Sequence, residues 1–353
     1  MIINARRRRR APLVAPVLAP LLAVLLAVAG CALESDGEGG GEDADGLKVV
    51  KVGYLHTVAV DTHLWLGQVN GTFQKHGLKL EPVKFDTGIA ESQALSGGSI
   101  DVAVMGAVAA NFPARGQGKV FLLNDIEYDT AQLWVREDSG IGSLADLAGK
   151  KVATTQGTTA HVFLHNALKT EKIDPGKVSI VNSPMPAAVN AFISGAVPAV
   201  ALWVPFDLQV KKNLPGARLL TSAGKYYPQA AIPGGWVARN SFYDKDKDTL
   251  KKIAAAWLEV NDTLVGDPDG SLRKVHEQAY RNDAPFEQIK HDFGFEKTFT
   301  GEQWAAHYRD GTAAGWLGRT TRTFVELGGL PEYKEPSSYF DPQIFLSAYE
   351  EAR

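Results

Sequence analysis

A helix end, a glycine stop and a short apolar strand occur twice in this chain, and that duplication confines the fold more than any other feature. The segment LSGGSIDVAV (residues 95–104) lines up with FISGAVPAVA (residues 192–201), Gly98 falling on Gly195 and Ile100 on Val197. Two copies of one supersecondary unit argue for two similar α/β lobes. Pro198 stands where the first copy has Asp101, which a strand start tolerates. Around the copies, apolar runs alternate with helical periodicity. Strands are predicted over 48–54, 79–85, 100–104 and 120–123, then over 152–154 and 178–181. Helices run from Trp65, Ala90, Thr158 and Pro186, so each sheet should be mostly parallel and covered on both faces. Crossings between lobes are expected near residues 125–133 and 226–237. Beyond them the chain turns helical. Leu250, Ile253, Ala254, Trp257, Leu258 and Asn261 share one helix face, and further helices are predicted around 272–280, 285–293, 303–314 and 319–327. This part should return to the first lobe and brace it.

The first residues do not belong to that fold. Arg6 to Arg10 form a basic region, an apolar run follows, and Val28-Ala29-Gly30-Cys31 closes it in the manner of a bacterial lipobox. A retained membrane span is the alternative, but Pro12, Pro16, Pro20 and the small residues before Cys31 favour cleavage. Consecutive arginines also permit twin-arginine export. Cys31 is the only cysteine, so the body has no disulfide, cysteine metal site or cysteine nucleophile, and lipidation would consume the lone thiol. Residues 32–46 are acidic and glycine-rich and read as a flexible tether. The predicted division is therefore 1–31 signal, 32–46 tether, 47–130 first lobe, 131–230 second lobe and 231–353 return. Without Arg6–Arg10 the chain carries 32 basic against 40 acidic side chains, near −8, which argues against nucleic acid as a partner.

Residues 150–168, KKVATTQGTTAHVFLHNAL, give the first candidate site. A strand passes through Gln156-Gly157 into a helix that Thr158 can cap, and Ala160, Phe163, Leu164, Ala167 and Leu168 form its core stripe. Free N–H groups, a hydroxyl and the positive dipole end meet there, as an anion requires. Many capped helices bind nothing, so the surroundings decide. Thr57 follows the first strand at its C-terminal end, where open α/β sheets place ligands. His161, in the first turn, is placed to donate into a cleft; with His165 it has zinc spacing, but no third ligand is evident. Trp65, Trp203 and Trp236 lie near loops and are weighed as core or ligand cover. Asp125, Glu127 and Asp129 near the first crossing read as a solvated cluster, with contact to an ammonium as the alternative. Gly140-Ile141-Gly142-Ser143 imitates a dinucleotide loop but more simply opens a short helix at Leu144. No nucleophile elbow, zincin helix or Walker loop appears, so no catalytic residue, cofactor or metal is assigned.

Gly71-x-Phe73, His76-Gly77-Leu78, Phe85-x-x-Gly88, Ala94-Leu95, Gly98-x-Ile100-Asp101, Leu144-x-Asp146-Leu147-x-Gly149-Lys150-Lys151-Val152 and Gly157-Thr158-x-Ala160-His161 together resemble the periplasmic-type binding proteins of ABC importers. Over roughly residues 49–206 they resemble the taurine, aliphatic sulfonate and nitrate group, which includes thiamine-pyrimidine binders. The resemblance implies a type II periplasmic binding protein fold, two α/β lobes joined by two crossing strands. It also implies a ligand enclosed between the lobes, with an ABC permease and its ATPase as partners; the lipobox reading adds a lipid anchor on the extracytoplasmic face. Thr57, Thr87, Gly88, Gly106, Ala107, Gly157, Thr158 and Thr159 would line the cleft, with His161 beside it and Trp203 or Trp236 covering the ligand. The group often carries hydroxyls after the third strand; here that loop reads Gly106-Ala107-Val108. Taurine or another organosulfonate leads as ligand, with nitrate, an aminopyrimidine or a small aromatic acid as alternatives. An exported enzyme on the same fold, with His161 as its base, or a sensor or adhesin domain are the rival classes.

Overall fold

The computed structural model describes residues 41–353. The signal segment, the lipidation at Cys31 and most of the predicted tether lie outside the described residues. Among the described residues no helix is long and apolar enough to cross a membrane.

Two five-stranded mixed sheets form the frame. The first joins β1 (Lys48–Leu55), β2 (Leu78–Phe85), β3 (Val102–Met105), β4 (Lys119–Ile126) and β10 (Pro233–Ala238) in the order β2-β1-β3-β10-β4. The second joins β5 (Ala131–Val135), β6 (Lys151–Thr154), β7 (Ser179–Asn182), β8 (Ala199–Trp203) and β9 (Arg218–Ser222) in the order β7-β6-β8-β5-β9. In each, three parallel strands are followed by one antiparallel strand that has arrived from the other sheet: β10 lies between β3 and β4, β5 between β8 and β9. The duplicated segments explain this likeness. They end the helices Gly88–Ser96 and Met185–Ile193 and supply β3 and β8, which occupy the same place in their sheets. Gly98 and Gly195 both take the left-handed conformation, φ 76° and 84°, which a side chain would resist. The structure is thus the α/β periplasmic binding protein architecture that the resemblance implies.

The C-terminal helices lie against the first sheet. The helix Lys247–Gly266 starts on the Asp246 cap and buries Leu250, Ile253, Ala254, Trp257, Leu258 and Asn261, the predicted stripe. Tyr308 Oη accepts the Leu123 N–H at 2.6 Å, and the Val120 N–H reaches the Tyr339 carbonyl at 2.8 Å. The predicted helix over 303–314 divides at Gly311 (φ 81°) into Gly301–Arg309 and Thr312–Glu326, and Pro342–Glu351 adds a helix that periodicity did not single out. The Gly140–Ser143 stretch does open the short 3₁₀ helix Leu144–Leu147, through a capping box between Ser143 and Asp146.

One core group is costly. Glu91 on the helix Gly88–Ser96 is fully buried, and neither carboxyl oxygen finds a partner; the Val104 N–H approaches without reaching hydrogen-bond geometry. Burial raises its pKa well above the ordinary value, so the folded chain holds this proton more tightly than the unfolded one. Stability is therefore lost as pH rises above the unfolded carboxylate range. Glu91→Met should remove that slope and add about 1–3 kcal/mol at about pH 8, with a smaller gain at about pH 5. Urea unfolding at both pH values checks it; an equal or absent gain would count against a buried, unpaired acid.

Candidate functional site

Strand ends deliver the site. β1, β2 and β6 each finish in a threonine turn and a helix start, and the N-caps Thr57, Thr87 and Thr158 are all extended. The helices that follow are Val58–Val69, Gly88–Ser96 and Thr159–Thr170. Only Thr87 spends its hydroxyl on its own helix, accepting the Ala90 N–H at 3.2 Å. The Thr158 hydroxyl turns back to the Thr155 carbonyl, 2.7 Å away, and Thr57 makes no side-chain cap. These helix starts carry free N–H groups and positive dipole ends.

They share one hollow. Thr57, Thr87, Gly88 and Gly106 from loops of the first sheet, and Thr158, Thr159 and Trp203 from the second, line a cavity of about 520 Å³ including its open mouth. Leu55, Val60, Val108 and Val204 make much of its wall apolar. Trp203, at the C-terminal end of β8, stands edge-on to Phe206 with centroids 5.7 Å apart. The lining contains no lysine, arginine or histidine.

It does contain Glu127. This residue lies in the link from β4 to β5, beside the second crossing, where its N–H bonds the Ile232 carbonyl at 2.9 Å. Its Oε1 accepts from the Thr159 hydroxyl at 2.8 Å and Oε2 from the Thr130 hydroxyl at 3.2 Å. Burial nevertheless pushes its pKa up to about 7, the hydroxyls and the Ala107 N–H pulling the other way. Asp125 is held well above its usual range by burial and by Glu127, and Glu296, on the neighbouring segment, likewise by burial and then by these acids. The acids of the first crossing are therefore not a solvated cluster: Asp125 and Glu127 are 2% and 7% exposed. Asp129 is partly exposed and accepts from the Ser222 hydroxyl and the Gly224 N–H. Alternating charge near a strand end reads as surface in sequence; burial came from the second crossing and the C-terminal segment packing over it.

The remaining candidates lie off the cavity wall. Trp236 is corrected outright: it is fully buried in mid-strand on β10, between Val104 and Leu122, and donates to Asn124 Oδ1 at 3.0 Å. Its expected role as ligand cover fails because a strand inside a covered sheet has no open face. Ala107 is buried behind the wall and gives its N–H to the Thr159 hydroxyl at 3.2 Å. Gly157 (φ 75°) donates to His161 Nδ1 at 3.2 Å. His161 faces a separate surface depression with His165 and Glu326, and burial, then His165, lowers its pKa to about 4. A base in the cleft is thus not provided by His161. Trp65 bonds Asp61 Oδ2 at 3.0 Å.

Comparison with known proteins follows the same lines. The NMT1/THI5-like family model matches residues 60–271. A Brucella abortus (strain 2308) protein, whose name says only that it binds, is 27% identical over 298 residues, covering 84% of this chain and 92% of that one. The taurine-binding periplasmic protein of Escherichia coli (strain K12) is 28% identical over 213 residues, 59% of this chain and 65% of that one. Among solved structures, the alkanesulfonate-binding protein SsuA from Xanthomonas axonopodis pv. citri bound to MOPS superposes with a TM-score of 0.67 at 18% identity, over 86% of this chain and 100% of that one.

Proposed function

The chain belongs to the NMT1/THI5-like family, and on that premise we propose that it is the extracytoplasmic solute-binding protein of an ABC importer, whose ligand is taurine or another aliphatic sulfonate. One observation carries this reading: three helix starts converge on a single small, largely apolar hollow between two sheets. The sulfonate oxygens take free N–H groups at the starts of the helices that follow Thr57, Thr87 and Thr158, together with the Thr57 and Thr87 hydroxyls, where dipole ends favour negative charge. Trp203, Val60 and Val204 cover the methylenes. Closure of the lobes about the two crossings encloses the solute and offers a closed shape to the permease. Cys31 carries the lipid that keeps the protein at the membrane surface. The protein is a binder on this reading, in keeping with relatives that are named as binding proteins.

A thermal-shift screen with taurine, alkanesulfonates, nitrate, aminopyrimidines and small aromatic acids tests it, because a ligand that binds only the folded chain raises the melting temperature. A sulfonate should give the largest shift. A shift only from a pyrimidine or an aromatic acid would replace the ligand, and consumption of the ligand would replace the class.

A further inference from the structure

We propose that Glu127 selects, among sulfonates, those that carry an amino group, with the ligand's ammonium serving as its counter-charge. This rests on the sulfonate reading above and narrows it to a short zwitterion.

The cavity wall contains a single ionisable side chain, and it is acidic. Two hydroxyls, Thr159 at 2.8 Å and Thr130 at 3.2 Å, hold the two oxygens of Glu127. A carboxylate offers about four acceptor sites, so capacity remains for further donors. Among the described residues, no lysine, arginine or histidine donates to it. The charged groups near Glu127 are Asp125 on its own segment and Glu296 on the neighbouring one, both acids. Lys297, paired through its backbone with Ile126, lays its ammonium 5.3 to 5.7 Å from the Tyr128, Tyr227 and Phe299 ring centroids instead. An ionised Glu127 is therefore a buried charge without a partner, which is expensive unless a ligand brings the opposite sign. A simple alkanesulfonate brings the wrong one. An aminosulfonate meets both needs, its sulfonate at the helix starts and its ammonium at Glu127.

Thr159 ties the two ends together. It stands at the first position of the helix Thr159–Thr170, and its hydroxyl both donates to Glu127 and accepts the Ala107 N–H. The positive helix end and the acid are thus within one side chain of each other, which sets the ligand's length at a few bonds.

Calorimetric titration of the whole protein with taurine, 2-hydroxyethanesulfonate and ethanesulfonate, for the natural chain and for Glu127→Gln, decides the matter. The natural chain should bind taurine at least ~30-fold more tightly than ethanesulfonate, and Glu127→Gln should shrink that ratio to about threefold or less. Taurine affinity should also rise between about pH 6 and about pH 8 in the natural chain as Glu127 loses its proton, and this rise should vanish in the variant. Circular dichroism and melting of Glu127→Gln show that it is folded. Equal affinity for taurine and ethanesulfonate, or undiminished discrimination in the variant, overturns the role of Glu127 while leaving the sulfonate reading intact. Binding of none of the three sulfonates overturns both.

Discussion

Asn124→Ala is expected to lower the unfolding free energy by about 3–5 kcal/mol, since each buried donor stripped of its acceptor costs about 1–3 kcal/mol. Asn124, 2% exposed on β4, accepts two indole N–H groups at Oδ1, from Trp236 at 3.0 Å and Trp257 at 3.1 Å. Its Nδ2 donates to the carbonyls of Ala59 at 3.2 Å and Val60 at 3.4 Å, in the first turn of a helix that opens on the cavity. One amide therefore joins β4, β10, the C-terminal helix Lys247–Gly266 and the helix that follows Thr57. Alanine leaves both buried tryptophans without their acceptor and releases the turn behind Thr57 and Ala59. Equilibrium urea unfolding measures the loss. A change below about 1 kcal/mol would show that the indoles find other acceptors.

Gly106→Ala is expected to weaken taurine binding by about 100-fold, or about 2.7 kcal/mol, with far less effect on folding. A Cβ at Gly106 would stand 2.2 Å from Glu127 Oε1 and 2.9 Å from Thr159 Oγ. Neither approach is tolerable, and Glu127 cannot swing aside freely because the Thr159 and Thr130 hydroxyls hold it. The methyl must push the acid off its hydroxyls and into the space the ligand needs. The displaced atoms belong to side chains, so the sheet itself is not disturbed. Calorimetric titration beside a melting curve separates the two effects, and taurine affinity within about threefold of the natural chain would refute the crowding argument. This also explains the Gly106-Ala107-Val108 loop, which lacks hydroxyls after the third strand: the place a side chain would occupy is taken by Glu127, reaching across from the crossing.

The architecture was legible because it rests on periodicity and on glycine. The aligned copies around Gly98 and Gly195 announced two similar sheets, and the stripe from Leu250 to Asn261 announced the helix that packs on the first. Gly311 was readable in principle as a stop, but an apolar pattern running on through Ala313 and Ala314 concealed the break. Residues of the cavity that follow a strand and precede a helix, such as Thr57, Thr87 and Thr158, could be located because that junction has a local signature. Trp203 and Trp236 show the limit. Both lie near predicted loops, and only strand pairing distinguishes the one at the open end of β8 from the one enclosed within β10. Glu127 shows it more sharply. Ile126 apart, its near neighbours along the chain are polar, and its burial is made by Ile232, Thr159 and the segment near Glu296, all remote in sequence, so the local pattern favoured a solvated cluster and left contact with an ammonium as the alternative.

The most direct measurement is a crystal structure of the protein grown with taurine. The expected result is one molecule in the hollow, its sulfonate oxygens within hydrogen-bond distance of the amides at the starts of the helices after Thr57, Thr87 and Thr158 and of the Thr57 and Thr87 hydroxyls, and its ammonium on Glu127 with Trp203 alongside. Taurine bound in the reverse orientation, or at another surface with this hollow empty, would contradict it.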